Sequence, residues 1–366
     1  METHNGGLSH AVRVAYRTEM DWITPAFSRR EVNAAGAALI DLRCPLDERE
    51  HALAVVNNWR SSHAFPLNTF QMYLRGKTRQ VDKAGLVAQR IKRLSAIELK
   101  LRLIPDLRLA QMQDIGGCRA VVGSMRALNR LHRLYQKTQF KHELVHFDNY
   151  VESPRSSGYR SIHLVYRYYS DKNPAHNDLK IEMQLRTRLQ HAWATAVETV
   201  GTFKQQSLKS GIGDKEWLRF FALMGTVIAL RERTPLVSDT PIDQDELIRE
   251  LREYVEGLGV VGHLGGYRLL LDNVPLGTFK GLNYFLLELR AKEGLLRITP
   301  YKRRESEEAS RQYLEVERQA RFDFAEEHDA VLVSVDSMKA LRAAYPNYFA
   351  DTRRFVDEVM RAVKMP

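Results

Sequence analysis

Residues 179–187, LKIEMQLRT, alternate between apolar and polar side chains without a break. In an extended strand Leu179, Ile181, Met183 and Leu185 fall on one face, and Glu182, Gln184 and Arg186 on the other. The apolar face has to lie on a core. The other face carries Glu, Gln and Arg in a row. It serves either as the floor of a polar site or as the ordinary polar face of a half-exposed edge strand.

The surrounding chain supplies partners for such a strand. CRAVVGS (118–124), HELVHFDNY (142–150) and SIHLVYRYY (161–169) read as further strands, with a helix, MRALNRLHRLYQ, between the first two. RLQHAWATAVETVGTF and WLRFFALMGTVIALRE (217–232) read as helices after them. Residues 31–60 read as two helical stretches broken at Pro45, and residues 82–102 as one helix with a basic stripe. Strands mixed with helices give an α/β or α+β unit over residues 1–233.

TPLVSDTPIDQD (234–245), with its prolines, Ser, Thr and Asp, reads as a linker. A helix, DELIRELREYVEGL, follows, capped by Asp243 or Asp245. The remainder, 246–366, alternates strands (RLLL, YFLLELR, LLRITPYK, AVLVSV) with a charged helix near 305–322. It closes in a helix over about 350–363, where Phe355, Val356, Val359, Met360 and Val363 share a face. This is a second, smaller α+β unit.

Composition narrows the partners. The 366 residues carry a formal charge of +10, which suits nucleotides, nucleic acid or an anionic surface, although many basic proteins have no such partner. Cys44 and Cys118 are the two cysteines, far apart in sequence, which argues against a disulfide framework, excludes a cysteine-based zinc site and fits a reducing cytoplasm. No apolar run is long enough to span a bilayer, and the first residues do not read as a signal peptide.

Three further segments hold candidate chemistry. DIGGCRAVVG places Asp114 just before a strand and beside two glycines. Together with Glu182 from another strand it would make a carboxylate pair suited to Mg²⁺, although Asp before Gly-Gly is also a common turn. QRIKRLSAIELKLR offers Arg90, Lys92, Arg93, Lys100 and Arg102, either to neutralise phosphates or as a solvated helix face. DNYVESPRSSGYRSIH sets a Pro/Gly turn from which Tyr159 would project between Arg155 and Arg160. A ring there can stack a base while the arginines take phosphates, or simply pack.

The order RIKRLSAIELK, DIGGCRAVV, DNYVESPRSSGYRSIH, IEMQLRTRLQHAWATAVE resembles the synthetase domain of the RelA/SpoT superfamily over roughly residues 55–232. The resemblance implies a mixed sheet flanked by helices, and transfer of the β,γ-pyrophosphate of ATP to a nucleotide 3′-hydroxyl. It implies that Arg90, Lys92, Lys100 and Arg119 bind ATP, with Arg90 and Arg119 around the adenine and the lysines on the phosphates. Asp114 and Glu182 would bind Mg²⁺, and Glu182 is also the candidate base. Tyr159 stands where the family stacks the acceptor base, and Arg155, His163, Gln184, Arg186 and His191 would line the acceptor side. Ala96 and Arg155 stand where the family often has Ser and Lys, and neither change removes a metal ligand. The alarmone-hydrolase half of long family members has no counterpart; the His328-Asp329 pair lacks its companion ligands.

AVLVSVDSMKALRAAYPNYFADTRRF and the upstream NNWRSSHAFPLNTFQMYLR resemble fused toxic small alarmone synthetases of the CapRel type. That resemblance implies a zinc-finger-like C-terminal unit without zinc, and residues 246–366 contain no cysteine. It implies that Tyr345 and Tyr348 cover the ATP site and silence the enzyme, although YPNYF is equally a turn whose aromatics pin two helices. It further implies that the acceptor is the 3′ CCA end of tRNA, and that a phage protein, typically a major capsid protein, binds the C-terminal unit and releases inhibition. Arg29, Arg30 and Arg60 are candidates for the tRNA surface by charge and position. A synthetase of free alarmones, with GDP, GTP or an adenine nucleotide as acceptor, would use the same ATP-site residues.

Overall fold

A computed structural model describes residues 22–364 apart from residues 42, 138, 205–207, 209–212, 272–281, 291–292, 294, 323–327, 336–337 and 350. The helices are α1 (Arg29–Ile40), α2 (Leu46–Ser62), α3 (Ala64–Val81), α4 (Leu94–Leu103), α5 (Met125–Lys137), α6 (Arg188–Phe203), α7 (Lys215–Glu232), α8 (Gln244–Gly257), α9 (Val260–Leu271), α10 (Ser306–Phe322), α11 (Met338–Ala344) and α12 (Arg353–Val363). The strands are β1 (Leu86–Ile91), β2 (Gly116–Val122), β3 (Glu143–Asn149), β4 (Ile162–Arg167), β5 (Lys180–Thr187), β6 (Leu282–Arg290), β7 (Leu295–Lys302) and β8 (His328–Ser334).

The strands form one eight-stranded sheet in the order β3-β4-β5-β2-β1-β8-β6-β7. β2 and β5 pair in parallel, and the other six neighbouring pairs are antiparallel. This is the mixed α+β architecture expected from the sequence. The sheet runs through both units of the chain, because β8 joins β1 at Gln89 and Arg90.

The alternation of β5 sets the layering. Ile181, Met183 and Leu185 face a core with Cys118, Ala120, Val122, Leu164 and Tyr166, covered by Leu67, Phe70 and Leu74 of α3 and by Leu128 and Leu131 of α5. A second core joins α6, α7, α8, α9 and α12 through Trp193, Phe220, Phe221, Leu251 and Phe355. Asp243 caps α8 by accepting the Glu246 N–H at 2.9 Å. On α12, Phe355 and Val359 are buried, whereas Met360 is exposed.

Two expected elements are corrected. The helix read over 82–102 is strand β1 followed by α4, with Arg90 in the strand and Lys92 in the connection. The segment RLLL, read as a strand, is the last turn of α9. Its run of apolar residues is too short for periodicity to separate the two states.

His63 sits between α2 and α3 with its Nδ1 2.7 Å from the Trp59 carbonyl. Burial, opposed by that hydrogen bond, holds its pKa down at about 4 from the ordinary 6.5. The unfolded chain binds this proton near pH 6.5 and the folded chain only near pH 4, so stability from His63 is present above 6.5 and lost as pH falls toward 4. Denaturant titrations should show about 3 kcal/mol lost to this group over that window, and a shallower decline for His63→Gln.

Candidate active site on the polar face of the sheet

Strand register builds the site. Across β1, β2, β5 and β4, Arg90 is level with Gly117, Glu182 and Val165, and the neighbouring row holds Ala88, Arg119, Gln184 and His163. All of these side chains point to the face opposite the α3/α5 core. Arg90, Arg119, Glu182, Gln184 and His163 therefore share this face.

The two glycines of DIGGCRAVVG have different jobs. A Cβ at Gly116 would meet Ile181 Cδ1 at 2.7 Å, so this glycine admits the core. A Cβ at Gly117 would meet nothing within 4 Å. Gly117 is thus a bare patch of sheet between Arg90 and Glu182.

Asp114 lies two residues before β2 and accepts from Lys92 Nζ at 2.6 Å and Lys100 Nζ at 2.9 Å. Burial opposes its ionisation, but the two ammonium groups outweigh it and hold the carboxyl well below its usual range. Burial moves Lys92 down, with Asp114 pulling the other way.

Glu182 is held by His163 Nδ1 at 2.9 Å and Gln184 Nε2 at 2.7 Å. Burial would raise the Glu182 pKa; the His163 hydrogen bond and charge prevail and lower it, against the nearby Asp114 charge. His163 moves up: burial lowers it, while Tyr159 and Glu182 raise it. Two ionised carboxylates that feel each other across an open floor are a hard oxygen donor set. They fit Mg²⁺, which takes one or two carboxylates and completes its shell with phosphate and water. No cluster of three or more metal-ligating side chains occurs among the described residues.

Among the residues read as acceptor-binding, Tyr159 does not project from the turn as expected. Its ring is 5% exposed against Trp193 and Tyr150, and its hydroxyl accepts from Arg186 Nη2 at 2.6 Å and lies 2.8 Å from His163 Nε2. Arg186 is fully buried and also donates to Gln184 Oε1 at 2.9 Å. Arg160 is likewise no phosphate contact: it is 2% exposed and donates to the Val151 and Pro235 carbonyls. Arg155 is exposed and stacks over Tyr150 at 4.5 Å, donating to its hydroxyl. Tyr150, edge-on to His163 at 5.2 Å, is a site aromatic that the sequence reading missed.

Glu198 was missed too. It adds negative charge close to Arg90, Arg119 and His191. The available signal was its position on α6, seven residues after His191 and so on the same helix face. Burial and the charges of Arg119 and Arg186 keep His191 neutral, its Nε2–H donating to the Ala343 carbonyl at 3.1 Å.

The C-terminal unit lies over this face. The Tyr345 ring sits 5.5 Å from the Arg119 guanidinium, and its hydroxyl donates to the Gln89 carbonyl at 2.8 Å. Arg119 also donates to the Ala344 carbonyl at 3.2 Å. The Tyr348 hydroxyl accepts from Arg93 Nη1 at 3.3 Å. Both tyrosines are buried among Val331, Val333, Leu341 and Phe349.

Of the three tRNA-surface candidates, Arg29 and Arg30 are exposed. Arg29 borders a separate depression of about 470 Å³ lined also by Phe27, Trp59, Arg167 and Asp178. Arg60 is corrected. It is 1% exposed and paired with Glu317 of α10 at 2.6 Å, so it belongs to an internal contact and not to a surface.

The two glycines should separate folding from function. Gly117→Val fills open space and suits a strand, so its unfolding midpoint should stay close to the parent while nucleotide binding, followed by calorimetry, falls at least about 100-fold. Gly116→Val should lose stability, because its branches meet the side chain of Ile181.

The family model for the region found in RelA / SpoT proteins matches residues 89–207. A GTP pyrophosphokinase from Haemophilus influenzae is 32% identical over 123 residues, which is 32% of this chain and 14% of that protein. The alignment thus spans a small part of the relative's length. Among solved structures, a GTP pyrophosphokinase family protein from Streptococcus pneumoniae is 21% identical with a TM-score of 0.41, over 52% of this chain and 91% of that one. Small alarmone synthetase 1 from Bacillus subtilis, bound to its product pppGpp, is 18% identical with a TM-score of 0.41, over 48% and 94%. Residues 89–207, which carry Arg90, Asp114, Glu182 and the bare floor between them, match the region found in RelA / SpoT proteins.

Proposed function

We propose that this chain is an ATP-dependent pyrophosphokinase that places pyrophosphate on the 3′ CCA end of tRNA and is silenced by its own C-terminal unit. The observation that carries the reading is the Tyr345 ring resting on Arg119, beside the open floor at Gly117. Arg119 and Arg90 are the pair that would hold the adenine. A phenol ring over one guanidinium takes the place a base would take.

Mg²⁺ held by Asp114 and Glu182 would neutralise charge building on the transferring phosphates. Lys92 and Lys100 hold phosphate oxygens, and Asp114 keeps both ammonium groups in position. Glu182 is ionised at neutral pH, so it can accept the proton of the acceptor hydroxyl. His163 and Gln184 orient that carboxylate, while Tyr159 and Arg186 brace His163 and Gln184 from behind. No covalent intermediate is needed, because positioning and charge neutralisation carry this chemistry.

The basic charge of +10 favours a polynucleotide acceptor. The C-terminal unit, zinc-free and zinc-finger-like in this reading, is released when a phage protein, a major capsid protein, binds it. A second reading, synthesis of (p)ppGpp or (p)ppApp from ATP and a free nucleotide, uses the same ATP side.

The test is transfer from γ-labelled ATP with Mg²⁺ to bulk tRNA or to GDP and GTP, for the full chain and Tyr348→Ala. Removing a buried aromatic ring costs roughly 3–5 kcal/mol, which can shift a closed–open balance by on the order of 100-fold or more. Label should move to tRNA mainly in the mutant, and Glu182→Gln in that background should abolish it. Label moving to free guanosine nucleotides in both proteins would replace the tRNA reading with the second one.

A further inference from the structure

Helix α10 reaches into the catalytic half with two side chains one turn apart. Tyr313 Oη donates to Glu317 Oε1 at 2.8 Å and accepts from Arg60 Nη2 at 2.8 Å. Glu317 Oε2 accepts from Arg60 Nη1 at 2.6 Å. Glu317 Oε1 also accepts the backbone N–H of Leu94 at 3.0 Å. Leu94 is the first residue of α4, the helix that brings Lys100 to Asp114.

This contact is separate from the tyrosine pair. Tyr313 packs with Leu286, Tyr301 and Ala309, whereas Tyr345 and Tyr348 pack with Val331 and Val333 in another cluster. It is also close to the phosphate-binding residues, because Arg60 Nε donates to the Lys92 carbonyl at 3.0 Å.

Arg60 cannot shed its charge, and its guanidinium is 1% exposed. The other groups that it donates to, the Lys92 carbonyl, Asn57 and the Tyr313 hydroxyl, are neutral. If α10 moves away, a buried cation and a helix N-terminus lose their anion together, and an unpaired buried charge is strongly unfavourable. A guanidinium fork beside a free backbone N–H suits phosphate as well as it suits carboxylate.

We propose that Arg60 and the N-terminus of α4 form a phosphate subsite of the nucleotide-transfer site, and that Glu317 is an internal anion filling it while the chain is closed. The proposal rests on the closed-and-open reading given above. Opening and substrate binding become one exchange, in which Glu317 leaves with α10 and a nucleotide phosphate takes over Arg60 and the Leu94 N–H. The phosphate belongs to ATP or to the acceptor.

Equilibrium binding of ATP with Mg²⁺, and separately of bulk tRNA, is measured on the full chain, alone and with Glu317→Gln or Arg60→Lys. Amide hydrogen exchange over residues 328–335 in the parent and in Glu317→Gln reports opening without any ligand. Glu317→Gln keeps the side-chain shape but turns an NH₂ toward donors. It should speed exchange in β8 and tighten one of the two ligands about tenfold. Arg60→Lys should weaken that same ligand about tenfold, and the ligand that responds identifies the source of the phosphate. Unchanged affinity for both ligands in Glu317→Gln would overturn the subsite, even if Arg60→Lys folds poorly. Unchanged exchange would overturn the latch. Binding shifts without any transfer of label from ATP to tRNA would count against the proposed function and leave the subsite standing.

Discussion

The constraint behind the rest of this structure is crowded positive charge in a buried place. Arg90, Arg119 and Arg186 project from three adjacent strands onto one face, with Lys92 and Lys100 at its edge. The crowding is felt: burial and then the Arg186 charge lower the Arg119 pKa, and His191 stays neutral between the two arginines. Asp114, Glu182 and Glu198 offset part of this charge. What remains draws in electron-rich groups. In this structure Arg119 meets the Tyr345 ring, Arg93 the Tyr348 hydroxyl and Arg60 the Glu317 carboxylate. A triphosphate would answer the same demand, so under the proposed function cover and substrate would compete for one surplus.

The sheet makes that surplus usable because its two faces are built for different tasks. The parallel pairing of β2 with β5 brings Gly117 level with Glu182, and the antiparallel pairing of β1 brings Arg90 level with Gly117. The residues between them, Cys118, Ala120, Ile181 and Met183, anchor the other face under α3 and α5. A one-residue shift of β5 against β2 would send Glu182 into the core and Ile181 into the site, and one of β1 would do the same to Arg90. The core therefore fixes the register of the polar face, and the catalytic geometry follows from apolar packing on the far side.

Much of this was legible in the sequence because the signal was local. The alternation of 179–187 announced both faces of β5, and Asp114 before two glycines announced the start of β2. The stretch 82–102 misled for a physical reason: β1 is six residues long and meets α4 after two more, so no strand alternation could establish itself beside the apolar spacing of α4. Tyr159 and Arg60 misled for a different reason. Their surroundings come from Trp193, 34 residues along the chain from Tyr159, and from Glu317, 257 residues from Arg60, and no window along the chain contains those partners. Polar residues in a sequence report chemistry, whereas their burial is decided by long-range contacts.

Under the proposed function, the same long-range contacts set what an activator would have to do. β1 is the strand that carries Arg90, and β8 closes on it at only Gln89 and Arg90, while β8 is tied to β6 along Tyr284–Arg290. The C-terminal strands β8, β6 and β7 therefore continue the one sheet across a short seam at β1. Over the polar face the contacts are the seam, the two tyrosine rings and the Glu317–Arg60 pair, each in a different place, while α8, α9 and α12 share a core with α6 and α7. Moving a closed–open equilibrium from 1:99 to 99:1 needs roughly 5.5 kcal/mol of differential binding. A partner that grips both states equally supplies none of it, however tightly it binds. It has to contact groups that closure hides, such as the edge of β8 or the faces of Tyr345 and Tyr348, or hold α10 where Glu317 cannot reach Arg60.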